Sequence, residues 1–193
     1  MPPKAKFTRE EIIQVALDIT RVEGIEAVTA REIGRRLNSS ARPIFTVFEN
    51  MEEVQKEVIF KAIRLLRSYF QTSKVYIPEF KRFGMMMIQF AKEEPKLFQL
   101  LLMRESPNEK NYTEMIEGLG ADTQYCLEIL QRDYGLSEKM SKKMLNQLWL
   151  HSYGMSVLCA TKMCSFTEEE ISQMLSEVFM GLLSLIQSEK IDE

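Results

Sequence analysis

The chain has 193 residues, of which 45% are apolar and 27% charged, and its formal net charge is −3. That apolar content is enough to build a buried core, and no run of about 18 uncharged apolar residues predicts a membrane span. The first residues, MPPKAKFTREE, lack the apolar segment of a secretory signal, so we expect a cytoplasmic protein.

The charge is unevenly distributed along the chain. Residues 1–47 carry eight basic and six acidic side chains, a net charge of +2, whereas the remaining 146 residues carry a net charge of −5. A basic segment on an acidic body favours contact with a polyanion at one end of the molecule. The three cysteines lack metal-ligand spacing, so we expect reduced thiols and no metal or other cofactor. With no Gly-rich phosphate loop and no paired nucleophile and base, we do not expect an enzyme.

Two short helices are predicted first. Thr8 followed by Glu11 is the pattern of a capping box, in which each residue satisfies a free backbone N–H of the first turn. Gly24 is expected to end this helix in a conformation that favours glycine. Thr29 followed by Glu32 predicts a second capping box and a second helix of about eight residues.

A third helix is predicted over residues 41–48, after a tight turn at residues 38–40 (Asn-Ser-Ser) in which Ser40 caps the new helix. Ile44 and Phe48 lie four residues apart and are expected to form its buried face. Two short helices joined by such a turn describe a helix-turn-helix, whose second helix fits the major groove of DNA. We therefore expect a DNA-binding domain over residues 1–50.

Apolar residues at helical spacing continue through residues 51–193, where no strand pattern is found. Further helices are predicted near residues 52–72, 77–94, 95–102, 112–134, 137–163 and 167–188. The prediction is an all-α protein of about nine helices, with a helical ligand-binding and dimerisation domain after the helix-turn-helix.

Several segments of the N-terminal region follow one another in a recognisable register. They are IIQVAL at residues 12–17, Gly24, TAREIG at 29–34, LNSS at 37–40 and IFxxFxNxEEV at 44–54. In order and spacing, residues 8–58 resemble the DNA-binding motif of the TetR family of transcriptional regulators. The length of the chain and the number of predicted helices are also similar to those of that family.

The resemblance implies a homodimer that binds a palindromic operator in double-stranded DNA, usually as a repressor, and leaves it when a small ligand enters the C-terminal body. By position, Arg31 and residues 41–43 would read bases, and Thr29, Phe45 and Thr46 would lie against phosphates. The full set of expected DNA contacts, with an N-terminal arm of two lysines, is Lys4, Lys6, Thr29, Arg31, Ser40, Ala41, Arg42, Pro43, Phe45 and Thr46.

Three positions depart from the pattern of the family. Phe45 stands where a Tyr is usual, Val47 where a His is frequent, and Met51 where a Lys is usual. The usual side chains contact phosphates, which supply much of the affinity for DNA and its salt dependence. The departures predict weaker or less salt-sensitive binding. They also leave open an alternative, a ligand-binding or protein-interaction dimer of the same fold with weak or no DNA binding.

The body of the chain is rich in Met and Phe, which favours a hydrophobic or amphipathic ligand such as a drug-like cation or a lipid derivative. The candidate ligand contacts, each of which could instead pack in the core, are Met86, Phe90, Phe98, Met103, Tyr125, Trp149 and Tyr153. The last two helices are apolar over a wide arc, which predicts either intramolecular core or a four-helix dimer interface. The candidate interface residues are Met155, Cys159, Leu175, Phe179 and Leu182.

Overall fold

A computed structural model describes residues 6–71, 76–105, 111–117 and 121–189. Every regular element in these ranges is helical, which confirms the predicted all-α class. In chain order the elements are α1 (Arg9–Glu23), the 3₁₀ segment η1 (Ile25–Ala27), α2 (Ala30–Arg36), the 3₁₀ segment η2 (Arg42–Thr46), α3 (Met51–Phe70), α4 (Lys81–Glu93), α5 (Pro95–Leu102), α6 (Tyr112–Glu117), α7 (Ala121–Tyr134), α8 (Glu138–Ala160) and α9 (Glu168–Glu189).

The chain divides into two compact units. The first unit comprises Met1–Gln71 and Glu93–Arg104, and the second comprises Thr72–Lys92 and Glu105–Glu193. The first unit therefore extends beyond the predicted residues 1–50, because α3 and α5 both pack on α1. Within the described ranges, no helix has the length and apolar character needed to cross a bilayer.

The predicted start of α1 is confirmed in detail. The backbone N–H of Glu11 donates to Thr8 Oγ1 at 3.2 Å, and the backbone N–H of Thr8 donates to Glu11 Oε2 at 2.7 Å. The helix ends at Gly24, whose φ of 95° is strained for residues that carry a Cβ. Both ends of α1 thus follow from residues within one turn of the boundary.

The predicted capping box at α2 is half formed. The backbone N–H of Glu32 donates to Thr29 Oγ1 at 3.2 Å, but the Glu32 carboxylate does not return to the backbone of Thr29. It accepts instead from Arg35 and Arg36, one turn further along the helix. Two charged guanidinium donors outcompete one backbone N–H for the same oxygens, because charge-assisted hydrogen bonds are the stronger ones.

The prediction of an α-helix over residues 41–48 is wrong. The structure has a 3₁₀ segment at Arg42–Thr46, and its cap position is Ala41 rather than Ser40, with no side-chain capping bond. The backbone N–H of Ile44 donates to Ala41 O at 3.1 Å, an i to i−3 bond that tightens the turn. The segment has only five residues, which is too short to develop an α-helical ladder, and Pro43 is tolerated in its first turn.

The core of the first unit forms where α1 meets α3 and α5, and where α2 meets η2. Ile12, Ile19, Ile33 and Val54 are fully buried there. The carboxylate of Glu94, which is 5% exposed, pairs with the Arg21 guanidinium, with Arg21 Nε donating to Oε2 at 2.7 Å. This ion pair ties the start of α5 to α1 within the unit.

In the second unit α8 packs against α7 and α9. Ile129 and Leu130 of α7, Met144 of α8 and Ile186 of α9 are among the most deeply buried side chains of its core. Ser137 caps α8 as predicted, accepting the backbone N–H of Met140 at 3.3 Å. A complete capping box, with bonds of 3.1 and 2.8 Å between residues 167 and 170, starts α9 as predicted.

Candidate functional site

The turn between α2 and η2 is close-packed around Gly34. The backbone N–H of Ser39 donates to Gly34 O at 2.8 Å, and Asn38 has a positive φ of 49°, a conformation that Asn tolerates. A Cβ built on Gly34 would lie 2.9 Å from the carbonyl carbon of Ser40 and 3.0 Å from Ser39 O. Because those are backbone atoms, only glycine lets α2 approach the turn so closely.

The segment η2 and the residues that follow it are anchored by the two side chains that the sequence predicted to form a buried face. Ile44 is 1% and Phe48 2% exposed, so their side chains hold the segment against the core of the first unit. The Arg9 guanidinium lies over the Phe48 ring, 4.3 Å from its centroid, and donates to Glu53 Oε1 at 2.8 Å and Glu57 Oε1 at 2.9 Å. Arg9 thereby clamps the end of η2 between α1 and α3, a role that sequence reasoning missed.

Most arginines of residues 6–50 are neutralised by carboxylates. Arg35 and Arg36 both donate to Glu32, and their hydrogen bonds lower the pKa of that carboxyl to about 2. Arg36 also donates to Glu23 Oε1 at 2.6 Å. Together with the pairs made by Arg9 and Arg21, these contacts cancel much of the positive charge of the segment.

Arg31 and Arg42 are different. Both side chains are exposed, and among the described residues no carboxylate lies within ion-pair distance of either. Lys6 reaches the same turn, where its Nζ donates to Ser39 Oγ at 3.2 Å. Arg42 and Lys6 thus lie at the turn, whereas Arg31 lies at the start of α2. Exposed, uncompensated cations of this kind are what a polyanion would contact.

The other predicted DNA contacts have mixed placements. Ser40, Phe45 and Thr46 are exposed, with Phe45 48% accessible, whereas Ala41 and Pro43 are half-buried. The Thr46 hydroxyl donates to Pro43 O at 2.6 Å and is turned back onto its own backbone. Thr29 is occupied as the cap of α2. Lys4 lies outside the described residues.

A second candidate site is a cavity of about 210 Å³ in the second unit, partly open to solvent. Its walls come from the segment before α4, from α4 itself, and from α7, α8 and α9. The lining residues are Ile77, Pro78, Phe80, Lys81, Gly84, Tyr134, Leu148, Ser152, Leu175, Ser176, Phe179 and Met180. Most of these residues are apolar, and none of the described residues in the lining carries a carboxylate.

The predicted ligand contacts are elsewhere, and none of the seven lines the cavity. Met86, Phe90 and Phe98 are buried in the cores of their units, and Met103 is exposed. Trp149 and Tyr153 stack on each other with ring centroids 4.9 Å apart. The Tyr125 hydroxyl donates to Glu79 Oε1 at 2.6 Å, which lowers the pKa of that carboxyl.

Most of the predicted dimer contacts are also covered within the chain. Met155, Cys159, Leu175 and Phe179 are buried, and Leu182 is half-buried. Leu175 and Phe179 line the cavity instead. The apolar residues that α8 and α9 do expose to solvent are different ones. They include Leu150, Gly154, Met180, Gly181 and Leu185.

The chain matches no protein-family model and none of the curated proteins. Across the described parts of the chain, no group of three or more His, Cys, Asp or Glu side chains is positioned to hold a metal ion.

Proposed function

We propose that the chain is a DNA-binding transcriptional regulator of the TetR type, whose helix-turn-helix presents the turn between α2 and η2 to DNA. The observation that carries this proposal is the pairing of charges in residues 6–50. Four of the six arginines there are held by carboxylates, while Arg31 and Arg42 are exposed and unpaired among the described residues. These are two of the residues that the family resemblance assigns to base reading.

The chemistry of the two arginines suits this role. A guanidinium presents a planar fork of donors that pairs with O6 and N7 of guanine in the major groove. Lys6, which bonds to Ser39 beside the same turn, adds a positive charge for the phosphate backbone. The burial of Ile44 and Phe48 holds the backbone that carries Arg42 against the core of the first unit, while the Arg42 side chain remains exposed.

The test is fluorescence anisotropy with labelled DNA taken from the region flanking the gene of the protein. Arg31→Ala and Arg42→Ala are each expected to weaken binding about 5- to 150-fold, the range for loss of one base-reading arginine. Arg35→Ala is the matched control, because Arg35 lies on the same helix as Arg31 but is already paired with Glu32. The control is expected to change affinity less than about 2-fold. Equal losses in all three variants would contradict the assigned roles.

The proposal includes a homodimer, which a palindromic operator requires. Support comes from the apolar surface left exposed on α8 and α9. Leu150 and Gly154 are four residues apart on α8, and Gly181 and Leu185 are four apart on α9, so each pair lies on one face of its helix. A Cβ built on either glycine meets nothing within 4 Å, which leaves space for a partner helix to approach closely.

Regulation in this proposal is a shift between conformers. A ligand in the cavity of the second unit favours the conformer that binds DNA poorly, and the effect is limited by the difference in affinity of the ligand for the two conformers. The apolar lining of the cavity supports a hydrophobic or amphipathic effector. We expect regulation to be repression that this effector relieves.

A second candidate function is a ligand-binding or protein-interaction dimer with weak or no DNA binding. Two observations favour it. The exposed ring of Phe45 has no hydrogen-bonding group for a phosphate, and the Thr46 hydroxyl is already bonded to Pro43 O. The anisotropy experiment separates the two functions, because a folded protein that binds no DNA at low salt supports the second.

A further inference from the structure

The cavity of the second unit lies beside a point where α4 approaches α8 and α9 closely. A Cβ built on Gly84 would lie 2.9 Å from both Leu175 Cδ1 and Ser152 Oγ. The absence of a side chain at Gly84 therefore allows α4 to lie against α8 and α9 beside the cavity. Lys81, one turn earlier on α4, reaches the same cavity.

Among the described residues, the ammonium group of Lys81 is hydrogen-bonded to neutral side chains and to no carboxylate. Its Nζ donates to the hydroxyls of Ser172 and Ser176, the latter at 2.9 Å. No carboxylate among the described residues lies within ion-pair distance of Nζ, and none of the lining residues in the described ranges is Asp or Glu. The side chain is half-buried, and this burial lowers the pKa of the Lys81 ammonium.

Such an ammonium group can bind an anion. It carries three donors, of which the two serine hydroxyls use two. Removing a cation from water without a counter-charge is costly, so an anionic group that enters the cavity recovers a favourable interaction. A cationic ligand would be repelled, because it would bring a second positive charge next to Lys81.

The remaining surface of the cavity is suited to a hydrocarbon chain. Phe80, Leu148, Leu175 and Phe179 all contribute apolar side chains to the lining. The volume of about 210 Å³ is below the range of about 300–1,000 Å³ typical of pockets for drug-sized ligands. A slender chain with a small head group therefore fits better than a broad multi-ring compound.

We propose that the cavity binds an amphipathic carboxylate, with its carboxylate paired to Lys81 and its aliphatic chain along Phe80, Leu148, Leu175 and Phe179. This inference rests on the proposed function in one respect, that the cavity is the effector site of a regulator. It narrows the effector from any hydrophobic or amphipathic compound to an anionic one. Drug-like cations, which the sequence left open, are excluded from this site by the charge of Lys81.

The test is isothermal titration calorimetry of the full chain with three ligands of one chain length and different head groups. Decanoate is expected to bind about tenfold or more tightly than decanol, because it adds a charge-assisted hydrogen bond. Decyltrimethylammonium is expected to bind more weakly than decanol. Equal binding of decanoate and decanol, or a preference for the cation, would overturn the proposal.

Substitutions test whether Lys81 causes the preference for decanoate over decanol. Lys81→Met is expected to remove the about tenfold advantage of decanoate while leaving the affinity for decanol unchanged, and Lys81→Arg is expected to retain the advantage. Lys92→Met is the matched control on the same helix, since Lys92 donates to Phe166 O and does not line the cavity. Unchanged decanoate binding in Lys81→Met would refute the role of Lys81, and binding of decanol verifies that the variant is folded.

Calorimetry also separates this inference from the proposed function. Decanoate binding that depends on Lys81, in a protein that binds no DNA, supports the carboxylate site and refutes the regulator. A protein that binds DNA but shows no preference for decanoate keeps the regulator and overturns the carboxylate site.

Discussion

The substitution Gly34→Ala tests how the turn between α2 and η2 is built. The added Cβ would lie 2.9 Å from the carbonyl carbon of Ser40 and 3.0 Å from the carbonyl oxygens of Ser39 and Ser40. Real Cβ atoms essentially never approach heavy atoms within 3.0 Å. All three neighbours are backbone atoms, so the turn itself must move to accept the methyl group.

The magnitude follows from two opposing effects. Alanine is favoured over glycine in a helix by about 0.8–1 kcal/mol, and Gly34 lies within α2. Forcing an extra methyl group into a close-packed site costs about 1–3 kcal/mol. Because the backbone neighbours cannot rotate away, we place the cost in the upper part of this range, at about 2–3 kcal/mol. Gly34→Ala is then expected to lower the free energy of unfolding by about 1–2 kcal/mol.

The control is the same exchange at Gly154 in α8, where a Cβ meets nothing within 4 Å. Within a single chain only the helix propensity acts there, so Gly154→Ala is expected to raise the free energy of unfolding of the monomer by up to about 1 kcal/mol. Urea denaturation followed by circular dichroism measures both variants. Because Gly154 lies on the proposed dimer surface, melts at two protein concentrations separate a change in association from a change in folding.

Hydrogen exchange adds a local measurement. The Ser39 N–H that bonds to Gly34 O is expected to exchange faster in Gly34→Ala. A Gly34→Ala protein as stable as the parent, with Ser39 N–H equally protected, would refute the argument that close backbone contact requires glycine here.

Three further substitutions test other contacts. Arg21→Met is expected to lower the free energy of unfolding by about 2 kcal/mol in urea melts, because it leaves a buried carboxylate unpaired; an unchanged melt would contradict the importance of that ion pair. Phe45→Tyr is expected to strengthen DNA binding about 3- to 10-fold by adding a phosphate donor, whereas Phe60→Tyr, similarly exposed on α3, should leave anisotropy unchanged; no gain at Phe45 would argue against its position facing phosphate. Leu185→Asp is expected to give a monomer in sedimentation velocity, whereas Met163→Asp, exposed outside α8 and α9, should leave the dimer intact; a dimer in both would move the interface elsewhere.

The helix boundaries could be predicted wherever the signal is local. The capping box of Thr8 and Glu11 and the end of α1 at Gly24 both depend on groups within one turn. Gly135, with φ of 60°, ends α7 for the same reason. The burial of Ile44 was equally predictable from the spacing of apolar residues.

The spacing of residues along the sequence does not show which of several hydrogen-bond partners a side chain binds. At Glu32, two arginines on the next turn take the carboxylate that the capping pattern assigned to the backbone. At residues 41–48, the helical spacing of the apolar residues was correct, but it does not distinguish an α-helix from a 3₁₀ turn that buries the same side chains. The role of Ser40 as a cap failed with it.

The candidate sites in the second unit depend on contacts between distant segments. Apolar residues such as Leu175 and Phe179 were correctly placed on helices, but the sequence does not say whether their own chain or a partner covers them. Lys81 was missed because its partners, Ser172 and Ser176, are 91 and 95 residues away. Tertiary packing brings Lys81 and these serines together, and no local sequence pattern predicts that contact.

Binding of DNA by the segment from α2 to η2, which carries Arg31 and Arg42, is tested most directly on the unmodified protein. The measurement is the anisotropy of labelled DNA flanking the gene, titrated with the protein between about 50 and 200 mM salt. We expect saturable binding that is tighter than for unrelated DNA of equal length and that weakens as salt increases. A folded, dimeric protein that binds neither DNA at the lowest salt would contradict it.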